Sequence, residues 1–129
     1  MVEHLNQQGV DARYAGFFEY FNRREYFDAH EILEDLWLEH RGPNYAFHKG
    51  LIQLAGAFVH LQKGRLKPAA ALFRLCDANL SKYPDMHERL DVASVRGLIR
   101  DWISELEATD FTINPWPSKP APTLSLAGD

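Results

Sequence analysis

Tyr45-Ala-Phe-His-Lys-Gly-Leu-Ile-Gln-Leu-Ala-Gly-Ala-Phe-Val-His-Leu-Gln-Lys63 is the stretch that decides the fold. Leu51, Ile52, Leu54, Ala55, Ala57, Phe58, Val59 and Leu61 put apolar side chains on nearly every side of an α-helix. Such a helix has to be surrounded by other elements, so it reads as the centre of a bundle. One stripe departs from this pattern: Lys49, Gln53, Gly56 and His60, spaced by three and four, form a polar row in which Gly56 allows close approach. Gly64 closes the helix.

Working outward, the period remains helical and no convincing alternating strand appears. A first helix is expected over about Asp11 to Asn22, with Asp11 as N-cap and Tyr14, Phe17, Phe18 and Phe21 on one stripe. A second runs from about Arg24 to His40. It stops at Arg41-Gly42-Pro43, where glycine can take the left-handed position and proline prevents continuation. A fourth opens around Pro68, buries Ala69, Leu72, Phe73, Cys76 and Leu80, and ends at Tyr83-Pro84. A fifth, about Arg89 to Glu107, buries Val92, Val95, Leu98, Ile99, Trp102 and Leu106. The fold class is all-α, a compact antiparallel array of about five helices.

Residues 1–113 form the single helical domain, and residues 114–129 form a proline-rich tail that cannot be helical. A chain end of this composition is expected to fray. Trp116, between prolines, argues instead for docking on this subunit or a neighbour. A weak internal repeat is also present: Tyr20, Ala29, Leu33 and Leu36 correspond to His60, Ala69, Phe73 and Cys76 at a shift of 40 residues. Each half is then a helical hairpin, loosely similar to the tetratricopeptide arrangement.

Composition removes several classes of function. The 129 residues, 46% hydrophobic, are one domain's worth of chain. At a formal net charge of −4 with scattered Lys and Arg, the basic footprint of a nucleic-acid binder is missing. No run approaches the ~18 apolar residues of a membrane span. The single Cys76 excludes an internal disulfide, and Met1 to Gln8 lacks the pattern of a signal peptide, so the expected setting is cytoplasmic.

The chemistry concentrates in Tyr26-Phe-Asp-Ala-His30-Glu-Ile-Leu-Glu34-Asp-Leu-Trp37. At about 100° per residue, Asp28, Glu31, Asp35 and Glu39 fall on a solvated acidic face, and Tyr26, Ala29, Ile32, Leu33, Leu36 and Trp37 on the core side. His30 and Glu34 belong to neither. One turn apart, they can address the same ion, proton or partner, and an antiparallel third helix would bring Gln53 and His60 to meet them. A divalent site would use His30, Glu34 and His60, with Gln53 and Trp37 in support. Imidazole with carboxylate suits Zn²⁺, Mn²⁺, Ni²⁺ or Fe²⁺. The spacing is not that of zinc metalloproteases, because His30 is followed at i+4 by Glu34 rather than by a second histidine.

Four readings stand at this point: a buried polar pocket for a metal or small ligand, a structural hydrogen-bond network of the same residues, a metal-dependent hydrolase, and a helical interaction module. In the last, Trp102 or Trp116 anchors a homo-oligomer, with a dimer favoured. Elsewhere, His4, His48 and His87 are placed on solvated faces or loops, His40 at a helix C-terminus, Cys76 in the core, and Arg74 and Asp77 at the surface. There is no glycine-rich phosphate loop.

His30-x-x-x-Glu34-x-x-Trp37, preceded by Phe21-Asn22 and Tyr26-Phe-Asp-Ala and followed by Gly50-Leu-Ile-Gln53-Leu-Ala and His60-Leu-Gln-Lys-Gly64, resembles the prokaryotic family catalogued as domain of unknown function 309. The likeness spans about Phe17 to Leu80. It implies a compact helical fold and a His-x-x-x-Glu-x-x-aromatic motif, proposed in that family to bind metal and carried here by His30, Glu34 and Trp37. It implies no reaction.

Overall fold

The computed structural model describes residues 10–116 and 118–127; His4 lies outside them. Five helices follow one another: α1 (Ala12–Asn22), α2 (Tyr26–Glu39), α3 (Tyr45–Gln62), α4 (Leu66–Leu80) and α5 (Val92–Ala108). Each packs on its neighbours in sequence, and α3 is central. Phe47, Leu51, Leu54, Ala55, Ala57, Phe58 and Leu61 are sealed from solvent on it, as its all-round apolarity requires. No helix among the described residues is long and apolar enough to cross a membrane.

The 40-residue repeat appears in the backbone. At the end of α1, Glu25 N–H donates to Tyr20 O and Arg24 N–H to Phe21 O; at the end of α3, Arg65 N–H donates to His60 O and Gly64 N–H to Leu61 O. These are the paired bonds of a Schellman ending. The left-handed residue is Gly64 in one case (φ 73°) and Arg24 in the other (φ 64°). The α1–α2 and α3–α4 hairpins are therefore turned by the same device, with a glycine in the second copy alone.

Gly42 does not take the left-handed position expected of it. The left-handed glycine among the described residues is Gly64, and α2 ends with His40 already extended (φ −118°, ψ 108°). The residue before a proline-containing turn can leave a helix without a left-handed step. Asp11 does cap α1, accepting from Arg13 N–H at 2.8 Å.

Between α4 and α5 lies a feature that periodicity did not announce. Met86–His87 and Leu90–Asp91 pair antiparallel around a two-residue turn in which Glu88 (φ 48°) and Arg89 (φ 64°) are both left-handed. The fifth helix consequently begins at Val92, with Asp91 capping Ser94 N–H at 3.0 Å, rather than near Arg89.

The tail does not fray over its described residues. Asn114 Nδ2 donates to Leu61 O at 2.8 Å, and Trp116 packs edge-on to Tyr26 and Phe58 with the Arg24 guanidinium over its ring. Lys119 sits over Trp102 at 5.1 Å and bridges Asp101 and Glu105. Leu124 and Leu126 are buried. Trp102 itself is a core residue, 1% exposed and in contact with Phe58 and Phe73, which removes it as an anchor for a second subunit.

Candidate functional site

The motif residues of α2 and the polar stripe of α3 do meet. They line a groove of about 420 Å³ formed by Phe27, His30 and Glu34 of α2, Lys49, Gln53, Gly56 and His60 of α3, and Leu72 of α4. The expectation of a buried pocket needs correction: the His30 and Glu34 side chains are 30% and 38% exposed, so they form the wall of an open groove. Ile52, Val59 and Leu72 make its inner surface apolar.

His30 Nε2 stands 3.7 Å from Glu34 Oε2, and His30 Nδ1 stands 4.0 Å from Glu31 Oε2. Both separations exceed a hydrogen bond, and Nδ1 is sealed from solvent without a partner. The Phe27 ring stacks on the imidazole at 6.1 Å and fixes its plane. Ligating atoms of His30, Glu31 and Glu34 all lie within 4.8 Å of one another. His60 lines the groove but is not part of this trio, so the expected set of His30, Glu34 and His60 is not what the backbone gathers. Glu31, placed on the solvated face by the helical projection, is exposed as expected yet long enough to reach the ring.

The supporting residues are placed differently from expectation. Gln53 turns its carbonyl oxygen toward α4 and accepts from Asn79 Nδ2 at 2.8 Å. Gly56 admits α4 rather than α2, since a Cβ there would stand 3.2 Å from Leu72 Cδ1. Trp37 packs on Tyr45 at 5.0 Å with Lys49 Nζ 4.3 Å above its ring, beside the groove rather than over His30. His60 is kept below the ordinary histidine range by burial and by nearby Arg65 and Lys63; its Nδ1 has no partner. A neutral imidazole at the groove wall is therefore available as a donor or an acceptor.

His48, expected on a solvated face or loop, is buried instead. It is 7% exposed, wedged against Tyr14 and Phe47, and burial holds its pKa down to about 4 despite the opposing charges of Glu88 and Asp11. His87 is half-buried in the hairpin, 2.7 Å from Asn44 Oδ1, and His40 stands at the C-terminus of α2 as expected, its side chain exposed. Cys76 is buried in the core, and burial pushes its thiol well above the usual range, leaving it inert. Asp77 is tied to Arg96 at 2.8 Å.

Comparison with known proteins gives one match. No curated protein and no solved structure is similar enough to count, but the family model of a domain of unknown function, DUF309, matches residues 14–72. That span runs from α1 through the start of α4 and takes in every residue of the groove. Over that span, which holds the helical hairpins that carry His30, Glu34, Gln53 and His60, the chain is similar to the DUF309 family.

Proposed function

We propose that the α2–α3 groove is a binding site for a divalent cation, held by His30 Nε2 and Glu34 with groove water completing its sphere. The observation that carries this reading is the His30 and Glu34 pair, 3.7 Å apart and not hydrogen-bonded to each other. Metal bonds of about 2.0–2.2 Å put neighbouring donors roughly 3–3.5 Å apart, so a small movement of one side chain suffices. Imidazole and carboxylate together suit Zn²⁺, Mn²⁺, Ni²⁺ or Fe²⁺. Glu31 Oε2 stands 4.0 Å from Nδ1 on the opposite edge of the ring, so that a small side-chain movement on metal binding would let it accept from Nδ1–H and fix the tautomer that leaves Nε2 free. His60 and Gln53 on the facing wall serve whatever the ion holds. The reading assigns binding and no reaction.

A structural hydrogen-bond network of the same residues is less favoured, because the Nδ1 atoms of both His30 and His60 lack partners, whereas a network exists to satisfy such atoms.

Calorimetric titration of the purified chain with Mn²⁺, Zn²⁺ and Ni²⁺ tests the proposal. Uptake of one ion per chain is expected, weakened at least about tenfold in Glu34→Gln and His30→Ala, with helical circular dichroism retained. Wild-type protein that takes up none of the three ions would overturn it.

A further inference from the structure

A second cavity, of about 510 Å³, opens at the opposite end of α2, between the start of α1, the 41–44 turn, the first turns of α3 and the 86–91 hairpin. It shares no residue with the α2–α3 groove. Asp11, Glu39, His40, His48 and Glu88 supply its titratable wall together with Arg41.

Two independent local costs are borne at this wall. His48 is buried with its Nδ1 lacking any hydrogen-bond partner, which a fold ordinarily avoids. His48 is one of the residues that line the cavity. Glu88 and Arg89 occupy the two left-handed positions of the hairpin turn, where glycine and asparagine are the usual occupants. Glu88 is fastened there from both sides: its carbonyl accepts from Tyr14 Oη at 2.8 Å, and its carboxylate accepts from Asn44 Nδ2 at 3.1 Å.

Charge selects the ligand class. Arg13 is one guanidinium shared among Asp11, Asp35 and Glu39. His40 is paired with Glu39 at 2.9 Å, and the Arg41 guanidinium lies over the Tyr45 ring. The Glu88 carboxylate accepts from the neutral amide of Asn44. Carboxylates are therefore in excess, and a bound anion would meet them. Among the described residues, the trio fit for a metal lies at His30 and none forms here.

We propose that this cavity binds a small organic molecule carrying a protonated amine, with the ammonium against the Glu88 carboxylate and a second polar group against the His48 imidazole. The proposal is independent of the metal reading for the α2–α3 groove.

Ethanolamine is the probe, followed by NMR through the His48 imidazole and the Asn44 side-chain amide, with ethylene glycol and acetate as the neutral and anionic controls. Saturable shifts with ethanolamine alone are expected, and in Glu88→Gln the dissociation constant should rise about tenfold. Glutamine occupies the same turn position and can still accept from Asn44, so the fold should survive; if it does not, the comparison of the three probes on wild-type protein still decides. The proposal is overturned if ethanolamine gives no saturable shift, if glycol or acetate gives the same shift, if the shifts centre on His30 and His60, or if a folded Glu88→Gln binds as tightly as wild type.

Discussion

Asn22 holds Leu124 by both faces of its carboxamide: Nδ2 donates to Leu124 O and Oδ1 accepts from Leu124 N–H, each at 2.8 Å. Across 102 residues of chain, the last residue of α1 thereby mimics a neighbouring strand and satisfies both backbone groups of Leu124. The pair places Leu124 and Leu126 in the core and leads the chain to Arg89, whose carbonyl accepts from Ala127 N–H at 2.7 Å.

Asn22→Ala should release this segment. Two hydrogen bonds with buried partners are worth about 1–3 kcal/mol together, and the loss should fall first on the tail. Amide exchange at Leu124 is expected to accelerate strongly while that of α3 changes little, as hydrogen–deuterium exchange would read directly. Equal acceleration in α3 would mean that the tail is an integral part of the cooperative core.

Gly50 is a point of close approach between α3 and α4. A Cβ there would stand 3.2 Å from both Asn79 Cβ and Leu80 Cδ2 and 3.4 Å from Cys76 O; the Leu80 methyl could turn aside, but Asn79 Cβ and Cys76 O are bonded to or part of the backbone and cannot. The helix-propensity gain of alanine, about 1 kcal/mol, is smaller than the ~1–3 kcal/mol of forced separation. Gly50→Ala is therefore expected to lower the melting temperature by several degrees, and an unchanged or raised melting temperature would show that α4 can move outward freely.

The contrast between Gly50 and the left-handed residues shows what was legible beforehand. The helices and their core faces follow from the 3.6-residue period, and the central place of α3 follows from its all-round apolarity. The hairpin at 86–91 was not legible, since two-residue strands have no period and Glu88-Arg89 lacks the usual turn residues. The tail was read from its prolines, whereas its docking depends on Asn22, a residue remote in sequence. The groove was found because His30, Glu34, Gln53 and His60 sit on facing stripes. His48 was misjudged because its burial is imposed by Tyr14 of α1 and by the hairpin, contacts that no pattern within its own helix encodes. Projection placed Glu31 in solvent correctly but carried no information on how far a flexible carboxylate reaches.

Acid should weaken the fold through His48. Burial lowers its folded-state pKa to about 4, against about 6.5 for an unfolded chain, so below pH 6.5 the unfolded chain takes up a proton that the folded one refuses. Stability contributed by the neutral ring is complete above pH 6.5, falls as pH drops, and levels off below pH 4, where both states are protonated. The groups that face the ring act in both senses: Glu88 and Asp11 favour its protonation, while His40 and His87 oppose it. The full excursion amounts to ~3 kcal/mol. Urea denaturation at pH 7 and pH 4.5 should show this loss in wild type and a much smaller one in His48→Leu. The same pH slope in both proteins would assign acid sensitivity to other groups.

The two carboxylates beside His30 can be told apart by substitution. Imidazole nitrogens point their lone pairs in divergent directions, so one ion cannot use both edges of a ring. Glu34 stands by Nε2 and Glu31 by Nδ1, and only Glu34 lines the groove. If Glu34 ligates and Glu31 orients, Glu34→Gln removes a bond to the ion and should cost more than Glu31→Gln, which removes a hydrogen-bond acceptor from the ring's far edge. Loss of such outer partners typically weakens affinity by about 10–100-fold. Titrations with Mn²⁺ should therefore give affinities in the order wild type, Glu31→Gln, Glu34→Gln, and NMR of the imidazole should show wild type holding its proton on Nδ1 more firmly than Glu31→Gln does. An inverted order would place the ion on the Nδ1 edge, beside Glu31 and outside the groove, and would detach it from His60 and Gln53.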